Sequence, residues 1–171
     1  TAMKLTPATA RIRPYFAGAV LRNITFTQER YNNFIDFQDK IHQNLARQRT
    51  LVSIGTHDLD TIEAPFVYDA LPPNDIKFAP LNHEEEFTGS GLMDLYETDR
   101  HLGRYLHIIR DSPVYPIIFD QQKRVLSMPP IINSNHSKIK LDTKNVFIDV
   151  TALDKTKPVS YTHLTLPTSG L

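Results

Sequence analysis

The stretch Val125–Thr151, V-L-S-M-P-P-I-I-N-S-N-H-S-K-I-K-L-D-T-K-N-V-F-I-D-V-T, constrains the fold more than any other part of the chain. Pro129 and Pro130 fix φ at two adjacent positions and remove two backbone donors, so a strand ending near Ser127 must stop there. The chain turns a stiff corner, and Ser127 before it and Asn133 after it sit on a rigid rim suited to holding a ligand. In the returning run Asn145–Thr151 the period of two puts Phe147, Asp149 and Thr151 on one face and Val146, Ile148 and Val150 on the other. A carboxylate and a hydroxyl therefore project together from a strand that otherwise reads as buried.

With 171 residues, 40% of them hydrophobic, the chain has the length and the apolar content of one domain with one core. The absence of cysteine excludes disulfides and thiolate metal sites and is compatible with a reducing compartment. No apolar run approaches the roughly eighteen residues of a membrane span, and the N-terminus lacks the charged-then-apolar layout of a signal peptide. The expectation is a soluble, cytoplasmic protein with no membrane contact. A formal net charge of zero argues against a free-standing nucleic-acid binder. The charge is nevertheless uneven. Residues 1–55 carry eight Lys/Arg against three Asp/Glu, and residues 56–99 carry one Lys against eleven acids, which reads as an acidic, solvated lobe between basic ends.

Local patterns give an α+β order. Ile12–Phe26 begins as a strand, with Pro14 where its missing donor does least harm. After Thr27, a candidate helix cap with Glu29 beside it, the residues Tyr31, Phe34, Ile35, Gln38, Ile41, His42 and Leu45 fall at three- and four-residue steps and predict a helix over 27–47. His42 on that stripe reads as a packing histidine. Thr50–Ile54 reads as a short buried strand ended by a turn at Gly55. The following His57, Asp58 and Asp60 are ligand types for a metal, but no second ligand pair follows at a fixed offset, and a capped turn is the reading adopted. Residues 63–87, with four prolines, read as extended segments and loops pinned by Phe66, Tyr68, Phe78 and Leu81. Thr88–Ile109 predicts two helical pieces with a break near Thr98–Asp99. Tyr115–Phe119 and Arg124–Met128 predict a β-hairpin around Asp120–Lys123. The whole is a layered α+β domain: a β-sandwich-like core with helices packed outside.

Together with S-I-G-T-H-D-L-D at Ser53–Asp60, I-R-P-Y at Ile12–Tyr15 and L-H-I-I at Leu106–Ile109, the opening stretch resembles the beta subunit of cytosolic phenylalanyl-tRNA synthetases of the archaeal and eukaryotic type, in the domain that edits misacylated tRNA. The resemblance covers roughly residues 10–157. It implies a single editing domain over 1–157 and a tail over 158–171 that lacks the family's pattern and is expected to pack little. Ser134 and Ala152 stand where the family often has glycine.

The resemblance implies hydrolysis of the ester in tyrosyl-tRNA(Phe). It makes Ser127, Asn133 and Thr151 the catalytic candidates, Asp149 the reader of the tyrosine hydroxyl, and Ile118 a wall of the substrate pocket, with no metal. No nucleophile is evident, because the histidine nearest in sequence, His136, lies beyond the Pro-Pro corner, so a positioned water is favoured. The partners implied are tRNA(Phe) and an alpha subunit, in a complex of two alpha and two beta chains. ATP and magnesium would serve the alpha subunit's site and no cofactor this domain. The competing class is a non-catalytic module for tRNA docking or subunit packing. From the residues alone, Asp149 as a structural acid and Ser127 as a turn cap stay open.

Overall fold

The computed structural model describes residues 3–44 and 52–153, the side chains of 41–44 excepted. In chain order these form β1 (Met3–Leu5), β2 (Tyr15–Leu21), α1 (Gln28–Asn44), β3 (Val52–Asp58), β4 (Phe66–Leu71), β5 (Lys77–Phe78) and β6 (Phe87–Thr88). There follow α2 (Gly89–Tyr96), β7 (Tyr115–Phe119), β8 (Val125–Met128), β9 (Ile132–Asn133) and β10 (Val146–Ala152). Three sheets result: β1-β4-β7-β8-β9, β2-β10-β3, and the small pair β5-β6. The α+β order agrees with the sequence pattern at its ends, and the interior differs at three points.

The strand expected to end at Ile54 continues through Gly55 to Asp58, because every residue from Val52 to Asp58 pairs with one on β10. The turn comes three residues later, where Asp58 accepts the Asp60 N–H and caps the 3₁₀ turn Leu59–Thr61. The Pro-rich segment 63–87 is not all loop. Phe66, Tyr68 and Ala70 are buried on alternate positions of β4, an interior strand of the five-stranded sheet between β1 and β7. The second piece of Thr88–Ile109 is 3₁₀ over Gly103–Ile108 rather than α. The break before it is held by Asp99, whose carboxylate accepts the N–H groups of Leu102 and His101. Those bonds keep its pKa below the usual carboxylate range.

Alternation of side chains gives each large sheet an inner and an outer face. Phe66, Tyr68, Ile118 and Leu126 of the five-stranded sheet pack against Phe147 of the three-stranded one. The Phe66 and Phe147 ring centroids are 4.5 Å apart, and each ring so buried contributes about 1.5–3 kcal/mol relative to exposure. This contact joins the two layers of a sandwich. On the outer face of the five-stranded sheet, Tyr115, Ile117 and Met128 meet Leu92, Met93, Tyr96, Leu106 and Ile109 from α2 and the 3₁₀ turn. The start of α1, capped by Thr27 accepting the Arg30 N–H, packs Tyr31 and Phe34 near Phe26, Val146 and Ile148 on the other outer face. The expected packing of Ile41, His42 and Leu45, and the tail 158–171, lie outside the described residues and side chains.

The hairpin β7–β8 turns on one side chain. Asp120 accepts the backbone N–H groups of Glu63, Gln122 and Arg124 and two bonds from the Arg124 guanidinium. The hairpin is not regular: Ile118 pairs with Ser127 but Phe119 pairs with Val125, so Leu126 is an extra residue, a β-bulge.

Candidate functional site

The bulge at Leu126 decides where Ser127 points. With one extra residue in β8, Leu126 and Ser127 both face inward while Val125 and Met128 pack outward. Met128, Pro129, Pro130 and Ile131 then make a tight turn closed by the Ile131 N–H on the Met128 carbonyl, with Pro129–Pro130 in the cis form. The strand returns as β9 with Asn133 directly opposite Ser127. The register also pairs Tyr68 with Ile118 and Ile118 with Ser127. A single inner row therefore runs Tyr68, Ile118, Ser127, Asn133, from mid-sheet to edge.

The three-stranded sheet presents a matching row with Asp149 at its centre. The cross-strand neighbours of Asp149 are Gly18 on β2 and Gly55 on β3, so neither flanking strand adds a side chain there. A Cβ on Gly55 would collide with the Asp149 carboxylate and come within 3.0 Å of Asn133 Oδ1. The glycine is thus where the two rows approach each other. Ser127, Asn133 and Asp149 line one cleft of about 450 Å³, together with the Pro-Pro turn. Its outer wall is formed by Ile35 and Gln38 of α1 and by His83, Tyr96 and His101. Ser127 Oγ is buried and meets no hydrogen-bond partner among the described residues.

Asp149 is 1% exposed and is held from behind. His57 Nε2 lies 2.5 Å from Asp149 Oδ2, and His57 Nδ1 lies 2.9 Å from the Ser137 hydroxyl. A carboxylate can only accept, so the ring donates from Nε2, and Nδ1 shares a hydrogen bond with the Ser137 hydroxyl, which can donate or accept. Ser137 is itself placed by its carbonyl, which accepts the Asp58 N–H, and by the loop behind it, where the Thr143 hydroxyl donates to Asp58 Oδ2. Of the triplet read as a turn, Asp58 and Asp60 do cap and brace loops, Asp60 accepting from the Asn145 amide. His57 does not; it reaches Asp149 from behind the cleft. Had the strand been extended three residues beyond Ile54, the period of two would have placed Ser53, Gly55 and His57 on the Asp149 face.

Thr151 and Ile118 stand elsewhere than the pocket. Thr151 is fully buried, and its Oγ1 accepts from Arg13 Nε at 2.8 Å while its carbonyl accepts from Arg13 Nη2. Arg13 is 1% exposed. Burial pulls its guanidinium down to about 10, against the raising influence of Tyr68 and Asp149, so it stays cationic at neutral pH. The Tyr68 hydroxyl donates to the Arg13 carbonyl, and burial pushes the Tyr68 pKa well up. Arg13 stands in the I-R-P-Y motif at Ile12–Tyr15, but the sequence assigns it no role of its own. Ile118 is fully buried beside Ser127 in the inner layer, one strand in from the cleft. His136 lies against the Val125 carbonyl, and burial lowers its pKa. Among the described residues no group of three His, Asp or Glu is placed to hold a metal ion, and no helix is long and apolar enough to cross a membrane.

Comparison with known proteins places this geometry in a family. The chain is 64% identical over 155 residues to a phenylalanine–tRNA ligase beta subunit of Drosophila melanogaster and 57% identical over 153 residues to that of Mus musculus. The matches take in 91% and 90% of this chain, which spans 26% of the length of either relative. In structure it is similar to an N-terminal fragment of the phenylalanyl-tRNA synthetase beta subunit from Pyrococcus horikoshii, with a TM-score of 0.82 and 36% identity, over 90% of this chain and 44% of that one. The model of the B3/4 domain matches residues 12–163, and the chain belongs to the B3/4 domain family.

Proposed function

We propose that the cleft hydrolyses tyrosine from tRNA(Phe) wrongly charged with it, and that residues 1–157 are the editing domain of a phenylalanine–tRNA ligase beta subunit. The observation that carries the reading is the convergence of Ser127, Asn133 and Asp149, from strands of two different sheets, on one cleft. Tyrosine exceeds phenylalanine by one hydroxyl. A site whose buried polar group must be paired by that hydroxyl rejects the analogue lacking it by roughly 10⁴–10⁵ in the best cases, because the group is otherwise left desolvated and unpaired. Asp149, buried at the cleft wall, is such a group. Its carboxylate accepts the phenolic O–H, and a charge-assisted bond of this kind is among the stronger ones.

Ser127 and Asn133 face the remainder of the substrate, the terminal ribose and the attacking water. Water adds to the ester carbonyl, the bond to the ribose oxygen breaks, and tyrosine and a free tRNA terminal hydroxyl leave. Ser127 is not the nucleophile in this scheme: its Oγ meets no base among the described residues, His57 gives both ring nitrogens to Asp149 and Ser137, and His136 is turned to Val125. The chain contributes orientation and hydrogen-bond donors, with a ribose hydroxyl of the tRNA as a neighbouring aid. Thr151, fixed by Arg13, stiffens the strand that carries Asp149, and Ile118 packs beside Ser127. Synthesis with ATP and magnesium belongs mainly to the alpha subunit, in a cytoplasmic complex of two alpha and two beta chains.

The test is deacylation of tyrosyl-tRNA(Phe) and phenylalanyl-tRNA(Phe) by the intact subunit complex. Asp149→Ala should slow hydrolysis of the tyrosyl ester by about one to two decades, the equivalent of a lost charged hydrogen bond, and should narrow the preference for tyrosine. Full hydrolysis with unchanged preference would leave Asp149 a structural acid and favour the docking-module reading.

A further inference from the structure

Ser137, His57 and Asp149 are joined in the order of a hydrolase triad, hydroxyl to imidazole to carboxylate, yet the order faces the wrong way for one. Ser137 and His57 are both 0% exposed, and neither lines the cleft; the member that does is the carboxylate. A nucleophile must meet the substrate, and this serine cannot. What the chain of contacts can do is fix the carboxylate. A lone Asp at the edge of a cleft turns about χ1 and χ2, and each rotamer would offer the tyrosine hydroxyl a different acceptor position. The His57 bond to Oδ2 selects one. Ser137 in turn holds Nδ1 and with it the plane of the ring, and its own carbonyl is anchored by the Asp58 N–H. The ring has little freedom of its own, stacked at 6.0 Å from Phe147 in the joint between the sheets.

We propose that His57, oriented by Ser137, is a positioning residue that sets the discrimination between tyrosine and phenylalanine by fixing the Asp149 carboxylate toward the cleft. The groups facing the pair from other elements are Arg13, whose charge acts on Asp149, and Asn133, next to Gly55. Arg13 donates to Thr151 and Asn133 stands on the opposite sheet; the bond that reaches Asp149 Oδ2 from behind the strand is the one His57 makes. The proposal rests on the reading of Asp149 as the acceptor for the tyrosine hydroxyl.

The experiment compares hydrolysis of tyrosyl-tRNA(Phe) and phenylalanyl-tRNA(Phe) by the intact subunit complex carrying His57→Phe, His57→Gln, Ser137→Ala, Asp149→Ala, or His57→Phe with Asp149→Ala. His57→Phe keeps most of the ring volume and removes the donor, so it should narrow the tyrosine preference by about ten- to a hundredfold, the range for a charged hydrogen bond. His57→Gln carries an N–H donor at a similar reach and should restore most of it, which a purely structural role would not. Ser137→Ala should narrow the preference by a smaller factor. The double variant should discriminate no worse than Asp149→Ala alone, because both changes act through one carboxylate. An Asp149→Ala complex that loses its preference beside a His57→Phe complex that keeps it overturns the proposal and spares the reading of Asp149. A preference unmoved by Asp149→Ala overturns both. Should His57→Phe not fold, retention of full preference by Ser137→Ala, or loss of it in a folded His57→Gln equal to that of Asp149→Ala, overturns the proposal.

Discussion

Replacing Gly55 with alanine adds one carbon at the closest approach of the two sheets. That carbon would fall within contact distance of the Asp149 carboxylate and 3.0 Å from Asn133 Oδ1. The backbone has little room to yield, since β10 is the central strand, paired along its whole length on both sides. The carboxylate must therefore swing, which breaks its bond to His57, or the sheets must part, which strains the Phe66–Phe147 contact. Overpacking costs about 1–3 kcal/mol, and loss of a charged hydrogen bond about 1.5–3 kcal/mol. The cheaper route is taken, so Gly55→Ala should destabilise the β3–β10 ladder by about 2 kcal/mol and displace the carboxylate. In the intact complex, amide exchange of 146–152 should speed up about thirtyfold if it occurs by local opening, and the tyrosine preference should narrow toward that of Asp149→Ala. Gly18→Ala is the control from the opposite strand. Its Cβ would meet ring carbons of Phe147 and Phe16 at 3.2 and 3.3 Å, which give by a few tenths of an ångström, so the preference should hold. Unchanged exchange and unchanged preference in Gly55→Ala would refute the steric argument, and equal losses in both glycine variants would refute its assignment to the carboxylate.

Ser127→Ala should slow deacylation of both esters by similar factors, because its proposed contacts are to the ribose or the water common to both; a selective loss on tyrosine, read in the same assay, would move Ser127 to the side-chain pocket. Asp120→Ala should destabilise the β7–β8 hairpin by about 2–3 kcal/mol, the scale of a charged hydrogen bond, read by amide exchange of 115–128. Burial alone would raise the Asp120 pKa, but the bonds from Arg124 and Glu63 outweigh it and lower it. Its stabilisation is therefore complete above the ordinary carboxylate pKa and is lost as pH falls through the lower folded value. An acid titration of hairpin protection should show that loss in the parent and not in Asp120→Asn.

Repeating patterns were the legible part of the sequence. The period of two gave β10 and the shared face of Asp149 and Thr151, three- and four-residue steps gave α1, and the hairpin followed from its flanking apolar runs. The Pro-Pro turn set Ser127 and Asn133 near each other, though not that they pair across adjacent strands. The illegible part lay in long-range pairing. Gly55 reads as a turn in isolation and is a strand residue because β10 pairs with it from 94 positions away in sequence. His57 meets Asp149 at a separation of 92, and Arg13 meets Thr151 at 138; no local signal encodes such partners. Thr151 shares a face with Asp149 yet not a cleft, since a shared face fixes direction and not what lies in front of it. The bulge at Leu126, which turns Ser127 inward, likewise leaves no mark in an apolar run.

The two jaws of the cleft belong to different layers. Ser127 and Asn133 ride on the five-stranded sheet and Asp149 on the three-stranded one, and the gap between them is a dimension of the sandwich itself. A shift at the Phe66–Phe147 joint would therefore change the distance from carboxylate to amide without touching either residue. On the proposed editing reading, the selectivity of the cleft would follow the registry of the two layers, and pressure on one layer alone would retune it.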